Sequence, residues 1–287
     1  MTEEFKTYTP EQHVLNRPGT YIGSTDNETS DAYVREGDRL VINSIRYNPG
    51  LAHLFNEVLS NAGDHSEKTG EVSVIKVKVG DTIKIMNDGP GITSEVHHEH
   101  GIPVPQLIFG RLFSGSNYDD TQNRTWAGVN GIGVKAVNIF SSRFKVETGQ
   151  NGIKYTQIWE NNMTKVGKPK IEESDWTGTI ITYTPDYERF GISQMTDDIL
   201  FHLTKRVYDI AGVTNPTVKV TLNLKQIPIN SSQTYFDTNT TAHHHFYDVK
   251  AEKLIDLDNK DIGPINIQKS IPGKKIKSVE VLVKLED

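Results

Sequence analysis

The chain has 287 residues, 35% hydrophobic and 24% charged, enough for one large domain or two modest ones around a real core. Its net charge of −6 excludes a chain-wide basic field for gripping nucleic acid, so any DNA contact must be local or made elsewhere in an assembly. The absence of cysteine excludes a disulfide framework, thiolate zinc sites and a cysteine nucleophile. The polar N-terminus lacks a signal-peptide core, and nowhere are there the roughly 20 apolar residues of a membrane span. The expectation is a soluble intracellular protein, with nucleus, cytoplasm and virus particle not distinguished. The N-x-[ST] triplets at Asn27, Asn123, Asn162, Asn230 and Asn239 are then chance matches.

Residues 1–47 show little periodicity, and Arg17-Pro18-Gly19-Thr20-Tyr21-Ile22-Gly23 reads as a rigid turn followed by a short strand. From Pro49 the apolar residues Leu51, Leu54, Phe55, Val58, Leu59 and Ala62 fall at helical spacing, while Glu57, Asn61 and Asp64 stack along a stripe facing away from them. One helix therefore has a core face and a polar face. Ile75, Val77 and Val79, then Ile83 and Ile85, alternate on either side of Gly80-Asp81 as a hairpin that runs into Asn87-Asp88-Gly89-Pro90-Gly91. A helical or turn segment begins at Gln106. Residues 113–133 are polar, Gly-rich and aperiodic, a pattern that marks a functional or mobile loop. A helix is expected over Val134–Phe140, opening on Gly133. Strands follow at Arg143–Thr148, Ile153–Glu160 and Thr179–Thr184, the first two joined by Asn151-Gly152. Ile192–Ala211 has helical spacing and stops on Gly212, and Thr217–Ile229 reads as a last strand pair. The boundary falls near residue 232, dividing 1–231 from 232–287; in the latter only Lys277–Leu285 clearly alternates.

Three polar sites are spaced so that one nucleotide pocket could use them: Glu57/Asn61, the turn Asn87–Gly91, and the loop Gly128-Val129-Asn130-Gly131-Ile132-Gly133-Val134-Lys135. Each alone has a bland reading as solvated helix face, ordinary turn or linker. The loop is not a Walker A motif, because Gly133 is followed by Val134-Lys135-Ala136 with no hydroxyl for magnesium. It is not a dinucleotide fingerprint either, since it follows polar chain rather than a strand. What remains is a run of backbone N–H groups at Gly131–Val134 at a helix start, with Lys135 adding a full charge, a cradle for anionic oxygens.

The ordered set Arg17–Ser24, Asn56–Asp64, Asn87–Ile92, Ser116-Asn117-Tyr118-Asp119-Asp120 and Asn130–Lys135, with Tyr208–Gly212 late in the domain, resembles the ATPase domain of type IIA DNA topoisomerases of the eukaryotic or large-virus kind. That group belongs with gyrase, the Hsp90 chaperones, sensor histidine kinases and MutL. The resemblance covers about residues 8–230. It implies an α/β (α+β) fold, a two-layer sandwich of a mixed sheet covered by helices on one face, plus a small C-terminal segment. It implies ATP and Mg²⁺ as cofactors. Glu57 matches the general base that deprotonates the attacking water, and Asn61 the residue whose amide oxygen binds Mg²⁺. Asn87 matches the adenine-recognising position, with Asp88 the neighbour to test next, and Gly89 and Gly91 let the backbone approach the base. Ser114, Ser116 and Asn117 match the ribose and phosphate segment, and Gly128, Asn130, Gly131, Ile132, Gly133, Val134 and Lys135 the phosphate loop. Tyr21 matches an arm reaching a partner subunit. The implied whole is an ATP-dependent homodimer gate that admits DNA in the complete topoisomerase, with no membrane partner.

Two departures accompany the resemblance. The family's lysine on a Gln-x-Lys loop has no recognisable match in 232–287, where Gln268-Lys269 lies too early, so this segment is expected to be the start of a transducer-like domain or a linker. No stretch resembles the DNA-cleaving domain with its tyrosine, so the chain is expected to be a piece or subunit of a larger enzyme. Two rivals share the pocket: a chaperone-like or histidine kinase-like ATPase, and a nucleotide-sensing dimerisation module with little turnover. His97, His98 and His100, and the run His243–His245, are read as solvated loop residues. Adjacent imidazoles diverge, and no acidic or histidine partner is expected at ligand spacing.

Overall fold

The computed structural model describes residues 7–36, 39–112, 114 and 131–223, together with strand segments within 225–285. The chain divides into two units, residues 1–224 and 225–287.

The larger unit opens with α1 (Pro10–Asn16), started by a capping box in which Thr9 and Gln12 bond to each other's backbone, and α2 (Pro18–Tyr21). The rigid turn and strand expected at 17–23 are thus corrected to a short helix, with Pro18 at the position where a helix loses no hydrogen bond to proline. A long hairpin follows, β1 (Glu28–Glu36) against β2 (Arg39–Tyr47), in a stretch where the sequence shows no clean alternation.

The helix α3 (Pro49–Thr69) organises the unit. Asn48 caps its start by accepting from the Leu51 amide at 3.0 Å, Pro49 occupies the first turn, and Gly70 ends it in the left-handed conformation at φ +66°. Leu51, Leu54, Phe55, Val58 and Leu59 are all buried, each contributing about 2 kcal/mol of transfer free energy.

Behind α3 lies an eight-stranded mixed sheet built from β3 (Val74–Lys78), β4 (Ile83–Asn87), β5 (Ser141–Gln150), β6 (Ile153–Glu160), β7 (Lys165–Val166), β8 (Lys170–Glu173), β9 (Gly178–Pro185) and β10 (Lys219–Asn223). Its order is β10-β3-β4-β9-β5-β6-β7, with β8 also pairing β6. Only β10 with β3 is parallel; the other pairs are antiparallel. Between β5 and β6, Asn151 and Gly152 both have positive φ, as a tight hairpin turn requires. Ile75, Val77, Ile83, Ile85, Phe144 and Val146 form the buried face. Lys76 and Lys84 are exposed on the other face, where Glu147 pairs with Lys145 at 2.8 Å and Lys154 at 3.0 Å.

The covering layer is α3 with α5 (Gly133–Ile139) and α6 (Asp197–Val213), and α4 (Val104–Gly110) packs beside α5. α6 starts at Asp197 rather than Ile192, because Thr196 supplies the cap; a one-turn 3₁₀ helix (Tyr187–Phe190) ends before this stretch. It also runs through Gly212 to a Thr214 cap, so Gly212 is not its stop. No helix among the described residues is long and apolar enough to cross a membrane.

The smaller unit contains β11 (Lys225–Pro228) antiparallel to β12 (Thr234–Asp237). It also holds a three-stranded sheet in which β13 (His244–Asp248) pairs antiparallel with β14 (Lys253–Leu257) and parallel with β15 (Leu282–Leu285). The strand pair expected over 217–229 is corrected accordingly: β10 and β11 do not pair with each other but each finds another partner.

Candidate nucleotide site

The polar stripe of α3 is as the helical spacing requires: Glu57 is partly buried and Asn61, one turn on, is exposed. His53, one turn before Glu57, brings Nε2 to 3.3 Å from Glu57 Oε1. Burial pushes the Glu57 carboxyl above its usual range; His53 opposes that shift and Asp64 adds to it. Sequence reasoning did not single out His53, although its i,i+4 relation to Glu57 was readable.

Glu57 also meets the opening of α5. A Cβ built on Gly133 would overlap Glu57 Oε2 and lie 3.2 Å from its Cγ, so only glycine lets the carboxylate come this close to the start of α5. Gly131, Ile132, Gly133 and Val134 form that start, with Gly131 at φ +59°. Lys135 is buried and donates from Nζ to the Gly131 carbonyl at 2.5 Å and to the Ser114 carbonyl. Burial lowers its pKa to about 8. Ser114 is fixed in turn, its hydroxyl donating to Leu107 O at 2.8 Å and Arg111 O at 2.7 Å. Ser116, Asn117, Gly128 and Asn130 lie outside the described residues.

The turn after β4 is the third wall. Asn87 is buried and donates to the Asp88 carbonyl at 2.9 Å. Asp88 is turned to the backbone: Oδ1 accepts from Ser73 N and Val74 N, both at 2.8 Å, and Oδ2 from the Ser73 hydroxyl. Partial burial pushes its pKa up, but these hydrogen bonds outweigh it and hold the carboxyl below its usual range. Asp88 therefore pins the start of β3. Gly89 has φ +83°, and Gly91 packs so closely that a Cβ would overlap the Gly149 carbonyl and lie 2.9 Å from the Gly178 oxygen. Thr148, fully buried and not anticipated from the sequence, accepts from the Ile92 amide at 2.7 Å and donates to Gly178 O at 3.1 Å.

α3 ties the walls together. His65 donates from Nε2 to the Pro90 carbonyl at 2.8 Å, so the same helix touches the turn at His65 and the loop at Glu57. Tyr21, on α2, shares a 2.9 Å hydrogen bond with His13 Nδ1. A separate cavity of about 390 Å³ lies among Ser30, Ala32, Ile45, Asn56, His202 and Arg206, away from these contacts.

Residues 47–189 match the family described as "Histidine kinase-, DNA gyrase B-, and HSP90-like ATPase". The chain is 40% identical over 240 residues to DNA topoisomerase 2 of Arabidopsis thaliana, a match covering 80% of this chain and 16% of the relative. It is 42% identical over 233 residues to a probable DNA topoisomerase 2 of Dictyostelium discoideum, covering 78% and 15%. The chain thus spans about a sixth of the length of these relatives. Among solved structures it resembles the ATPase region of Saccharomyces cerevisiae topoisomerase II with a TM-score of 0.74 and 31% identity, over 86% of this chain and 74% of that one. The ATPase and transducer domains of the Balamuthia mandrillaris enzyme give 0.74 and 30%, over 86% and 72%.

Proposed function

This chain belongs to the ATPase regions of the DNA topoisomerase II family, and from that premise we propose that its larger unit hydrolyses ATP on Glu57 and uses the cycle to close a dimer gate. The observation that carries the assignment is the Glu57 carboxylate set against Gly133 at the start of α5. The contacts of α3 supply a second support. Glu57 and His65 are eight residues apart, about 12 Å along the helix axis, a span commensurate with an extended nucleotide from terminal phosphate to base.

Adenine is then read by the Asn87 amide, which offers both a donor and an acceptor. The backbone N–H groups of Gly131–Val134 and the Lys135 ammonium receive phosphate oxygens. Asn61 offers an exposed neutral amide oxygen one turn from Glu57, a donor type that suits Mg²⁺. When bound, Mg²⁺ supplies charge neutralisation to the phosphates. Glu57 orients a water; as the water oxygen bonds to the terminal phosphorus, its proton passes to the carboxylate. The bond from that phosphorus to the bridging oxygen breaks, leaving ADP and phosphate. His53 holds the carboxylate's angle and opposes its protonation.

A second copy of the chain, reached through the segment around Tyr21, and DNA handled by the complete intracellular enzyme complete the proposal. Glu57→Ala should retain ATP binding and lose about 10²-fold or more of steady-state hydrolysis, the usual contribution of a general base. Full turnover in that variant removes Glu57 from the reaction.

A further inference from the structure

His97, His98 and His100 are expected from the sequence to be solvated loop residues, since adjacent side chains diverge and no acidic partner is expected at ligand spacing. The structure alters both premises. Between β4 and α4 the chain folds into a tight turn, closed by the His97 amide on Ile102 O at 2.8 Å, the Gly101 amide on His97 O at 2.9 Å and the Val104 amide on Glu95 O at 2.9 Å. Val96 and Pro103 form a bridge at its base, and Gly101 takes φ +63°. This closure gathers the side chains: the ring of His97 lies 4.9 Å from those of both His98 and His100, and ligand atoms of His97, Glu99 and His100 all fall within 4.8 Å of one another.

We propose that this turn is a binding site for a divalent transition cation of the zinc, nickel or copper class, held by one nitrogen each from His97 and His100 and the Glu99 carboxylate. The donor set selects the class. Imidazole suits zinc, nickel and copper, whereas magnesium and calcium take oxygen ligands and a softer site would need thiolates, which the chain lacks. Metal–nitrogen bonds of about 2.0–2.1 Å place neighbouring donor atoms roughly 3 Å apart. The three groups must therefore close by up to about 2 Å, within reach of rotations of the exposed Glu99 and His100 side chains. Competition for the donors is weak. His97 Nδ1 is engaged by the Glu99 amide only at 3.3 Å, and the Glu99 carboxylate meets the highly exposed His98 at 3.7 Å. The bound ion would staple the connection leading from the Asn87–Gly91 turn into α4. The proposal does not depend on the nucleotide reading.

The test uses the full chain carrying His243→Ala, His244→Ala and His245→Ala, so that the other histidine run contributes nothing, with excess Mg²⁺ present to occupy oxygen-rich sites. Calorimetric titration with Zn²⁺ should show one equivalent bound. The pair His97→Gln and His100→Gln should weaken that binding at least tenfold, since even the loss of an outer partner of a ligand costs 10–100-fold. His98→Gln should leave it within about twofold. With Co²⁺ as the probe, visible d–d absorption should develop in the parent and be lost in the double variant, while an unchanged far-ultraviolet circular dichroism spectrum and thermal midpoint of that variant separate loss of ligands from loss of fold. Absence of a zinc equivalent in the parent, or undiminished binding in the double variant, overturns the proposal.

Discussion

Two glycine-rich segments flank α3, and they are held in different ways. The turn Asn87–Gly91 is locked by backbone: Asp88 clamps the amides of Ser73 and Val74, Gly91 lies against the carbonyls of Gly149 and Gly178, and Thr148 bonds the next amide. The start of α5 is held by side chains instead, with Gly133 against the Glu57 carboxylate and Lys135 reaching back to the Gly131 and Ser114 carbonyls. A wall made of sheet backbone cannot give without disturbing the sheet; one made of long side chains adjusts by rotation. The base end of the proposed pocket is thus built as a fixed template and the phosphate end as a part that can rearrange as charge arrives and leaves.

Substituting the two glycines separates these cases most sharply. Gly91→Ala drives a methyl into the Gly149 carbonyl, which is bonded into the sheet, so the variant should lose about 3 kcal/mol of stability in thermal or denaturant unfolding. Gly133→Ala meets the Glu57 side chain first, which can swing aside. This variant should unfold within about 1 kcal/mol of the parent yet hydrolyse ATP about 10²-fold more slowly, because the base has been displaced. Equal destabilisation of both variants would erase the distinction.

How much of this was legible in the sequence follows the same division. The start of α3 at Pro49 and its apolar stripe were readable because helical spacing is a local signal; its Asn48 cap and Gly70 stop are local too but were not picked out. The β5–β6 hairpin was marked by Asn151-Gly152 for the same reason. The β1–β2 hairpin was not readable: its second strand exposes Ile42 while burying Ile45, so no clean alternation marks it. The pairing of β10 with β3 joins residues more than a hundred positions apart, and nothing in either strand names the other. At the site, helical spacing gave Glu57 and Asn61 a shared stripe, and the motif order brought the loop and turn into one hypothesis. The contact of Glu57 with Gly133, the engagement of Asp88 by β3 and the role of Thr148 are tertiary facts, invisible until the sheet is assembled.

A smaller effect should come from Lys135, the flexible end's buried cation, whose pKa burial lowers to about 8. Phosphates favour its protonated form, so nucleotide binding should raise that pKa and take up protons between about pH 8 and 9.5. ATP affinity should then fall several-fold as pH rises through that window. Titration calorimetry in buffers of different ionisation enthalpy reads the uptake directly, and no proton linkage above pH 8 would place Lys135 away from the phosphates.

The mildest test concerns His53, which touches the reaction only through Glu57. Burial raises the Glu57 pKa, and His53 at 3.3 Å counters that rise. Removing the imidazole leaves burial and the like charge of Asp64 unopposed, so the Glu57 pKa goes up further. A base works only when ionised; hence the acid limb of the kcat/KM profile should move to higher pH in His53→Ala, with a loss of a few-fold at pH 7 and little change well above the limb. His53→Lys keeps a cation near the carboxylate and should return the limb toward its original position. A uniform loss at every pH would instead mean that His53 serves only to set the carboxylate's angle, and the electrostatic half of its assignment would fall.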